Sequence, residues 1–273
     1  MVRRILASGV NRVPYRLRPY ISQVPGVACL QRALVSRILA GKPFIHTVNA
    51  GPAAGLRFEV TLPLDKAVWT GTYEQEFAQA LAAGIRPGNV CFDVGGYRGY
   101  MSGIMALAGA SRVIVFEPLP YNQEALRRLQ NLNPLLPIDI FTHAVGDIDG
   151  LMALKVMPDS SMAKLAVSPF QPEAAAVDEI TVNVSRLDTL LRHGAVPAPD
   201  VIKIDVEGAE SDVLAGAQRL LQTGHPRLFI ELHSDALDRA CARRLRDLGY
   251  AIRYIEPPID SPTRTRHLIA EPA

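Results

Sequence analysis

Acidic residues stand at the ends of three short apolar runs in this sequence. Asp93 closes "NVCFD", Glu117 closes "RVIVFE" and Asp205 closes "DVIKID". A glycine-rich stretch, residues 95–99, directly follows the first run. Glycines in a turn between a strand and a helix let the backbone approach a ligand and present helix N-terminal amides to it. The pattern is typical of nucleotide-binding turns, and the alternative is a purely structural turn whose glycines supply positive φ.

The spacing of two of these acids favours one class of nucleotide. Glu117 lies about twenty residues beyond the glycines, where such folds bind the ribose hydroxyls of NAD or of an adenosyl group. Asp93 distinguishes NAD from an adenosyl group, because a carboxylate before the first glycine would repel the pyrophosphate of NAD. It suits instead the cationic amino-acid end of S-adenosylmethionine. The arrangement D-x-G-x-x-x-G therefore predicts S-adenosylmethionine as the cofactor.

Strand-like and helical patterns alternate from Asn89 onward and would position these acids. The strand-like runs are "NVCFDV", "RVIVFEP", "IDIFTHAV", "DVIKIDV", "PRLFIEL" and "YAIRYIE". The helical stretches are residues 99–108, 122–132, 209–221 and 235–248. Strands that alternate with helices predict a doubly wound α/β domain, in which helices cover both faces of a mainly parallel sheet.

Further elements are predicted inside and before this domain. Residues 146–191 form an insertion with two strand-like runs, "LMALKV" and "EITVNV", around a Ser/Pro-rich middle. A long insertion at such a point usually lies over the ligand edge of the sheet. Upstream, "GLRFEVTLP" predicts a strand, "TYEQEFAQALAAG" a helix with Gly84 at its C-terminal cap, and residues 27–40 another helix.

Charge is distributed unevenly along the 273 residues. The first 58 contain nine Lys or Arg and no Asp or Glu, although the net charge of the whole chain is +2. We predict a basic N-terminal arm, residues 1–54, and one catalytic domain, residues 55–273. The arm is either a solvated leader or a contact for an anionic surface, and we expect peripheral membrane contact rather than nucleic acid. No run reaches the roughly 18 apolar residues that a membrane span needs. The three cysteines lie far apart without CxxC spacing, so we expect no disulfide framework and a reducing, cytoplasmic location.

The sequence resembles the FkbM-type S-adenosylmethionine-dependent methyltransferases over residues 71–256. The motifs that carry this resemblance are "TYEQEF", "FDVGGYRGY", "VIVFEPLPYN", "HAVGDIDG", "VSRLDTLL", "VIKIDVEGAESDVLAGAQRLL" and "LFIELH". The resemblance implies a seven-stranded Rossmann-like methyltransferase sheet with an antiparallel last strand. It also implies methyl transfer to a hydroxyl of a small-molecule, sugar, polyketide or lipid-like acceptor.

The resemblance also assigns residues to the cofactor. Asp93, Gly95 and Gly99 would shape the methionine end of the site, and Glu117 would bind the ribose. His143 and Ala144 follow the third strand, where adenine lies, although His143 is equally interpreted as a core histidine. Glu74 would border the cofactor or cap a helix. The sequence departs from the family pattern G-A-N-x-G at "GGYRG", where Tyr97 and Arg98 are expected to place bulk and charge beside the cofactor.

Catalysis is assigned to two residues at the ends of neighbouring strands. Asp205 ends the fourth core strand, where the methyl-accepting atom is expected, and His233 ends the fifth. We predict His233 as the base, with Asp205 as the alternative. No metal motif is present and no metal ligand is assigned, although Asp205, Glu231 and His233 would suit a divalent cation. An NAD-dependent oxidoreductase and a non-catalytic adenosyl-binding or membrane-docking module remain the alternative functions, and nothing indicates an oligomeric state.

Overall fold

The computed structural model describes residues 41–156, 163–165, 178–256 and 265–273. The predicted helix at 27–40, most of the predicted arm and the Ser/Pro-rich middle of the insertion lie outside these residues. The described strands are β1 Phe44–Thr47, β2 Arg57–Val60, β3 Val90–Val94, β4 Arg112–Phe116, β5 Ile138–Phe141, β6 Ala144–Val145, β7 Gly150–Val156, β8 Ala163–Leu165, β9 Asp178–Ser185, β10 Val201–Ile204, β11 Arg227–Leu232, β12 Tyr250–Tyr254 and β13 Arg266–Pro272. The described helices are α1 Lys66–Thr70, α2 Gln75–Gly84, α3 Tyr100–Leu107, α4 Pro120–Leu132, α5 Leu187–Arg192, α6 Glu210–Gly216, α7 Gln218–Thr223 and α8 Asp235–Asp247.

Seven strands form the central sheet in the order β12-β13-β11-β10-β3-β4-β5. The five strands from β11 to β5 are parallel, and β13 is antiparallel to both of its neighbours. The predicted doubly wound α/β fold with an antiparallel last strand is therefore confirmed. β13 is not among the runs that the sequence pattern singled out, and it inserts between β11 and β12.

Alternation along the strands builds a separate core on each face of the sheet. In β10, Ile202 and Ile204 pack into the core beneath helices α5 to α8, whereas Val201 packs into the core beneath α2, α3 and α4. Side chains of successive strand residues point to opposite faces, so an apolar strand without polar gaps serves both cores. Lys203 and Asp93 share the face of Val201, although both are charged.

The insertion forms a second sheet of four strands in the order β6-β9-β7-β8. Both predicted strand runs are present, as the antiparallel pair β7 and β9. Leu154, Val182 and Val184 of this sheet form a small core with Leu119, which begins the turn into α4. This contact fixes the insertion beside the carboxyl ends of β3 and β4.

Two predicted helices differ in detail from the structure. The stretch 209–221 is divided at Ala217, whose φ of −111° ends α6 before α7 starts. Gly84 is the last residue of α2 rather than a left-handed cap. A Cβ at Gly84 would lie 2.4 Å from the ring of Phe229, so the position needs glycine because the helix packs closely against β11.

The N-terminal hairpin crosses the predicted boundary between arm and domain. β1 pairs with β2, and Val48, Ala53 and Leu56 are buried in the core beneath α3. The boundary at residues 54 and 55 therefore falls within a paired hairpin, while the arm itself stays a prediction. Within the described ranges, no helix is both long and apolar enough to cross a membrane.

Candidate functional site

The glycine turn after β3 is shaped by the neighbouring strand as much as by any ligand. Gly95 has a φ of +80°, and a Cβ there would lie 1.7 Å from the carbonyl oxygen of Asp205. Gly99, with a φ of +85°, begins α3 and leaves no room for a Cβ beside Leu126 and Leu129 of α4. Both glycines are therefore required for close approach, Gly95 to the end of β10 and Gly99 to a helix.

Glu117 closes the turn through its carboxylate. The residue is 5% exposed, and its two oxygens accept the backbone N–H groups of Tyr97 at 2.8 Å and Leu119 at 2.9 Å. Burial raises the pKa of Glu117 to about 7, although these two hydrogen bonds act in the opposite direction. The carboxylate thus lies at the carboxyl end of β4, the edge at which open α/β sheets bind ligands.

Asp93 is fully buried beneath the turn. Its Oδ1 lies 3.1 Å from the Nζ of Lys203, and its Oδ2 accepts a hydrogen bond from the Ser102 hydroxyl. Lys203 also donates to the carbonyl oxygen of Gly95 at 2.9 Å and lies 3.3 Å from Oδ2 of Asp205. Burial alone lowers the pKa of Lys203, but the charges of Asp93 and Asp205 raise it above its ordinary value. Lys203 therefore connects the turn to the strand that carries Asp205.

An open cleft lies at the carboxyl ends of β3, β4 and β10. Four of the residues assigned to the site line it, namely Gly95, Glu117, Ala144 and Asp205. The remaining walls are Tyr73, Val94, Tyr97, Phe116, Pro118, Leu119, Asn122, Val145, Leu154, Val206, Glu207 and Ala209. The cleft is mainly apolar with three carboxylates, those of Glu117, Asp205 and Glu207, which is the usual character of a small-molecule site.

The departure from the family pattern at residues 97 and 98 affects the cleft less than expected. Arg98 points away from it, donating to Oδ1 of Asp65 at 2.9 Å and to the backbone carbonyl of Glu59, over the ring of Phe58. The expectation of charge beside the cofactor is wrong for Arg98, because α1 and β2 supply it with partners. Tyr97 does line the cleft, with a left-handed φ of +48°.

Five of the assigned residues do not line the cleft. Asp93 and Gly99 lie beneath the turn, and His143 is half-buried with its Nδ1 at 2.8 Å from the Ser185 hydroxyl. Glu74 lines a neighbouring recess, where burial and the charges of Glu231 and Asp205 raise its pKa to about 7. His233 lies behind the cleft wall formed by Asp205.

His233 is surrounded by carboxylates. Its Nδ1 lies 2.9 Å from Oε1 of Glu210, and its Nε2 lies 3.5 to 3.7 Å from oxygens of Glu207, Asp205 and Glu231. Burial alone lowers the pKa of His233, but the hydrogen bond and charge of Glu210 and the other carboxylates raise it to about 9. The ring therefore carries its second proton at neutral pH, and the structure brings His233 and Asp205 together as predicted for neighbouring strand ends.

Sequence reasoning missed two residues of this region, Lys203 and His267. Lys203 had a signal, since a lysine inside the apolar run "VIKIDV" must be paired when the strand is buried. The sequence places Glu207 and Glu210 around Gly208 at the start of a helix, where the helix dipole stabilises carboxylates. Glu210 also holds His233. His267 lies on β13 directly opposite Glu231 of β11, and that pairing has no local signal.

The profile described as the methyltransferase FkbM domain matches residues 93–256, more than half of the chain. This chain belongs to the FkbM methyltransferase family. The match begins at Asp93 and includes the glycine turn, Glu117, Asp205 and His233. The resemblance inferred from the motifs is thereby confirmed.

Curated relatives of this FkbM-family chain are distant. The hexuronic acid methyltransferase AglP of Haloferax volcanii is 26% identical over 161 residues, 59% of this chain and 63% of AglP. The 31-O-demethyl-FK506 methyltransferase FkbM of Streptomyces tacrolimicus is 27% identical over 218 residues, 68% of this chain and 82% of that protein. The alignment thus spans less than two thirds of AglP.

The resemblance of this chain to a solved structure concerns the fold alone. The protein PH0793 of Pyrococcus horikoshii is 12% identical, with a TM-score of 0.50 over 94% of this chain and 84% of that one.

Proposed function

We propose that this chain is an S-adenosylmethionine-dependent O-methyltransferase. The observation that carries the proposal is one cleft in which Glu117, at the end of β4, and Asp205, at the end of β10, face the same space. In a parallel sheet both strands end at the same edge, where open α/β folds bind their ligands. Family membership supplies the cofactor class, and the acidic strand ends supply groups for its ribose and for the methyl acceptor.

Glu117 binds the ribose hydroxyls in this proposal, and the apolar wall near Ala144, Val145 and Leu154 covers the adenine. The glycine turn and the carboxylates beside it lie towards the methionine end. Asp93 supports that end indirectly, because it is buried and paired with Lys203 rather than exposed in the cleft. Bound S-adenosylmethionine would supply an electrophilic methyl group, and the protein's main contribution would be alignment of the acceptor.

The proton of the acceptor hydroxyl requires a nearby base during transfer. Asp205 lines the cleft, whereas His233 lies behind it and holds a proton at neutral pH. We therefore favour Asp205 as the catalytic base and His233 as the residue that positions it. The sequence predicted His233 as the base and Asp205 as the alternative. The assignment is tested below by variants of both residues.

The acceptor class is proposed from the relatives and the cleft. AglP is described as acting on a hexuronic acid, and FkbM of Streptomyces tacrolimicus on demethylated FK506. A hydroxyl of a sugar, polyketide or lipid-like molecule is the shared chemistry that we propose for this chain.

Calorimetry with S-adenosylhomocysteine and NAD⁺ tests the cofactor. We expect S-adenosylhomocysteine to bind and NAD⁺ not to bind, because Asp205 and Glu207 line the cleft beside the turn and would repel a pyrophosphate. Glu117→Gln should weaken the binding by about 1 to 3 kcal/mol, the usual value for a charge-assisted hydrogen bond. Glu124→Gln is the matched control, since Glu124 is exposed on α4 and pairs only with Arg128 among the described residues.

Two results would contradict the proposal. Binding of NAD⁺ in place of S-adenosylhomocysteine would favour the oxidoreductase, and equal affinity of wild type and Glu117→Gln would remove Glu117 from the ribose site. Mass spectrometry of the purified protein provides an independent measurement, because a co-purified S-adenosyl compound identifies the cofactor without added ligand.

A further inference from the structure

Three carboxylates converge on one nitrogen of His233 behind the cleft. Oε2 of Glu207 lies 3.5 Å from Nε2, Oδ1 of Asp205 lies 3.7 Å away, and Oε1 of Glu231 also lies 3.7 Å away. The His233 side chain is 7% exposed, and those of the carboxylates are 13 to 27% exposed. Like charges at these separations need a compensating positive charge, which the protonated His233 ring provides when no ion is bound and a cation would provide in its place.

The orientation of His233 is fixed from its other side. Nδ1 lies 2.9 Å from Oε1 of Glu210, a fully buried residue whose carboxylate also accepts the backbone N–H of Gly208 at 3.0 Å. Histidines that bind metals commonly donate their second ring N–H to a carboxylate in this way, which directs the remaining nitrogen at the ion. Nε2 of His233 accordingly points at Asp205 and Glu231.

A second histidine repeats the same arrangement on the far side of Glu231. Oε2 of Glu231 lies 3.7 Å from Nε2 of His267, whose Nδ1 is paired with the carboxylate of Glu256. Phe77 stacks on the His267 ring at 4.4 Å and holds it in place. Nε2 of His267 is buried and has no hydrogen-bond partner among the described residues. At 3.7 Å this nitrogen is within ion-pair distance of Oε2 of Glu231, so His267 helps to position that carboxylate.

The separations suit ligands of one ion. Donor atoms of Asp205, Glu231 and His233 all lie within 4.8 Å of one another, and those of Glu74, Glu231 and His267 form a second such group. Ligands about 2.1 Å from an octahedral ion are about 3 Å apart when adjacent and about 4.2 Å when opposite. Small side-chain movements would therefore bring the first group into coordination. Lys203 lies beside Oδ2 of Asp205 and leaves Oδ1 facing the group.

We propose that Asp205, Glu231 and His233 bind one divalent cation, with Glu207 beside them and His267 positioning Glu231. Two carboxylate oxygens and one imidazole nitrogen suit Mn²⁺, which accepts both types of donor. The site goes beyond cofactor binding, because it lies behind Asp205 rather than at the ribose. An ion held there would fix Oδ1 of Asp205 from behind the cleft and would so position the side chain that faces the acceptor.

Metal binding is measured on the chelator-treated full chain by titration with Mn²⁺, using electron paramagnetic resonance to count free ions. We expect one bound Mn²⁺ per chain in the wild type, with affinity at least tenfold weaker in Glu231→Gln and Asp205→Asn. Glu124→Gln is the control, since its exposed carboxylate lies on α4, and it should bind like the wild type.

A pulsed measurement on the wild type keeps the test independent of the variants' folding. Electron spin echo modulation from an imidazole nitrogen should appear in the bound Mn²⁺ spectrum. Absence of bound Mn²⁺, absence of nitrogen coupling, or unchanged affinity in folded Glu231→Gln would each overturn the proposal. Binding of S-adenosylhomocysteine is measured separately in chelator-treated protein, so that failure of the metal site is distinguished from failure of the proposed function.

Discussion

Lys203 and Asp93 lie directly opposite each other on the parallel strands β10 and β3, with Nζ 3.1 Å from Oδ1. The ion pair is buried inside the sheet, since Lys203 is 3% exposed and Asp93 is not exposed at all. Lys203 also reaches the carbonyl of Gly95 and the carboxylate of Asp205. One amine thus connects the glycine turn, the core and the candidate catalytic strand end.

Removing this amine should destabilise the fold. Lys203→Met leaves Asp93 buried without its counter-charge, and such a loss costs about 3 to 5 kcal/mol of the free energy of unfolding. Chemical denaturation measures the change, with Lys66→Met at an exposed position as control, expected within about 0.5 kcal/mol of wild type. Adding Asp93→Asn to Lys203→Met should recover part of the loss; a strictly additive double variant would show that the pair is not coupled.

Cofactor affinity should depend on pH through Glu117. Its pKa of about 7 in the empty cleft means that the carboxyl gains a proton below neutral pH. Ribose hydroxyls donate to the ionised form, so affinity for S-adenosylhomocysteine should rise with pH up to about 7, by at most about tenfold per pH unit, and then level off. Calorimetry between pH 5.5 and 8.5 measures this affinity. The same dependence of affinity on pH in Glu117→Gln would show that another group causes it.

Variants of the two candidate catalytic residues should separate binding from turnover. Asp205→Asn removes the base in the cleft and should lower kcat by roughly 100-fold or more, the usual scale for general-base catalysis. His233→Gln should lower kcat less if His233 only positions Asp205. S-adenosylhomocysteine affinity should change little in either variant. Normal kcat in Asp205→Asn, together with a loss of kcat in His233→Gln, would show that His233 is the base.

Arg98 should influence stability rather than cofactor binding. Its guanidinium pairs with Asp65 and contacts the Phe58 ring, and it faces away from the cleft. Arg98→Met should therefore keep the affinity for S-adenosylhomocysteine within about twofold while lowering the free energy of unfolding by about 1 to 3 kcal/mol, since Asp65 loses its ion-pair partner and keeps only the backbone N–H of Thr61. A large loss of affinity with an unchanged unfolding transition would show that Arg98 belongs to the cofactor site.

The basic N-terminal segment is expected to mediate any association with anionic membranes. Deletion of residues 1–40 removes seven of the basic residues and should reduce sedimentation with anionic vesicles at low salt, because the attraction is electrostatic. Added salt should reduce binding of the full chain in the same assay. Full-length protein that does not sediment with such vesicles would rule out membrane contact through this segment.

The amino-acid sequence by itself determined the order of the elements and the acids at the strand ends. Period-2 runs and glycine turns are local signals, so most helices and the strands β3, β4, β5, β7, β9, β10, β11 and β12 were predicted close to their observed bounds. Glu117 and Asp205 follow from the same signals, because parallel strands bring their carboxyl ends to one edge. Ala144 and Gly95 also line the cleft as the family resemblance implied.

Only the tertiary structure decided which charges meet. β13 inserts antiparallel between β11 and β12, and this places His267 opposite Glu231, a pairing of distant segments without a local pattern. The direction of Arg98 depends on α1 and β2, which pack against the turn from outside the family motif. The pKa of His233 depends on four carboxylates from two strand ends and one helix, since electrostatic shifts follow distance in space and not position along the chain.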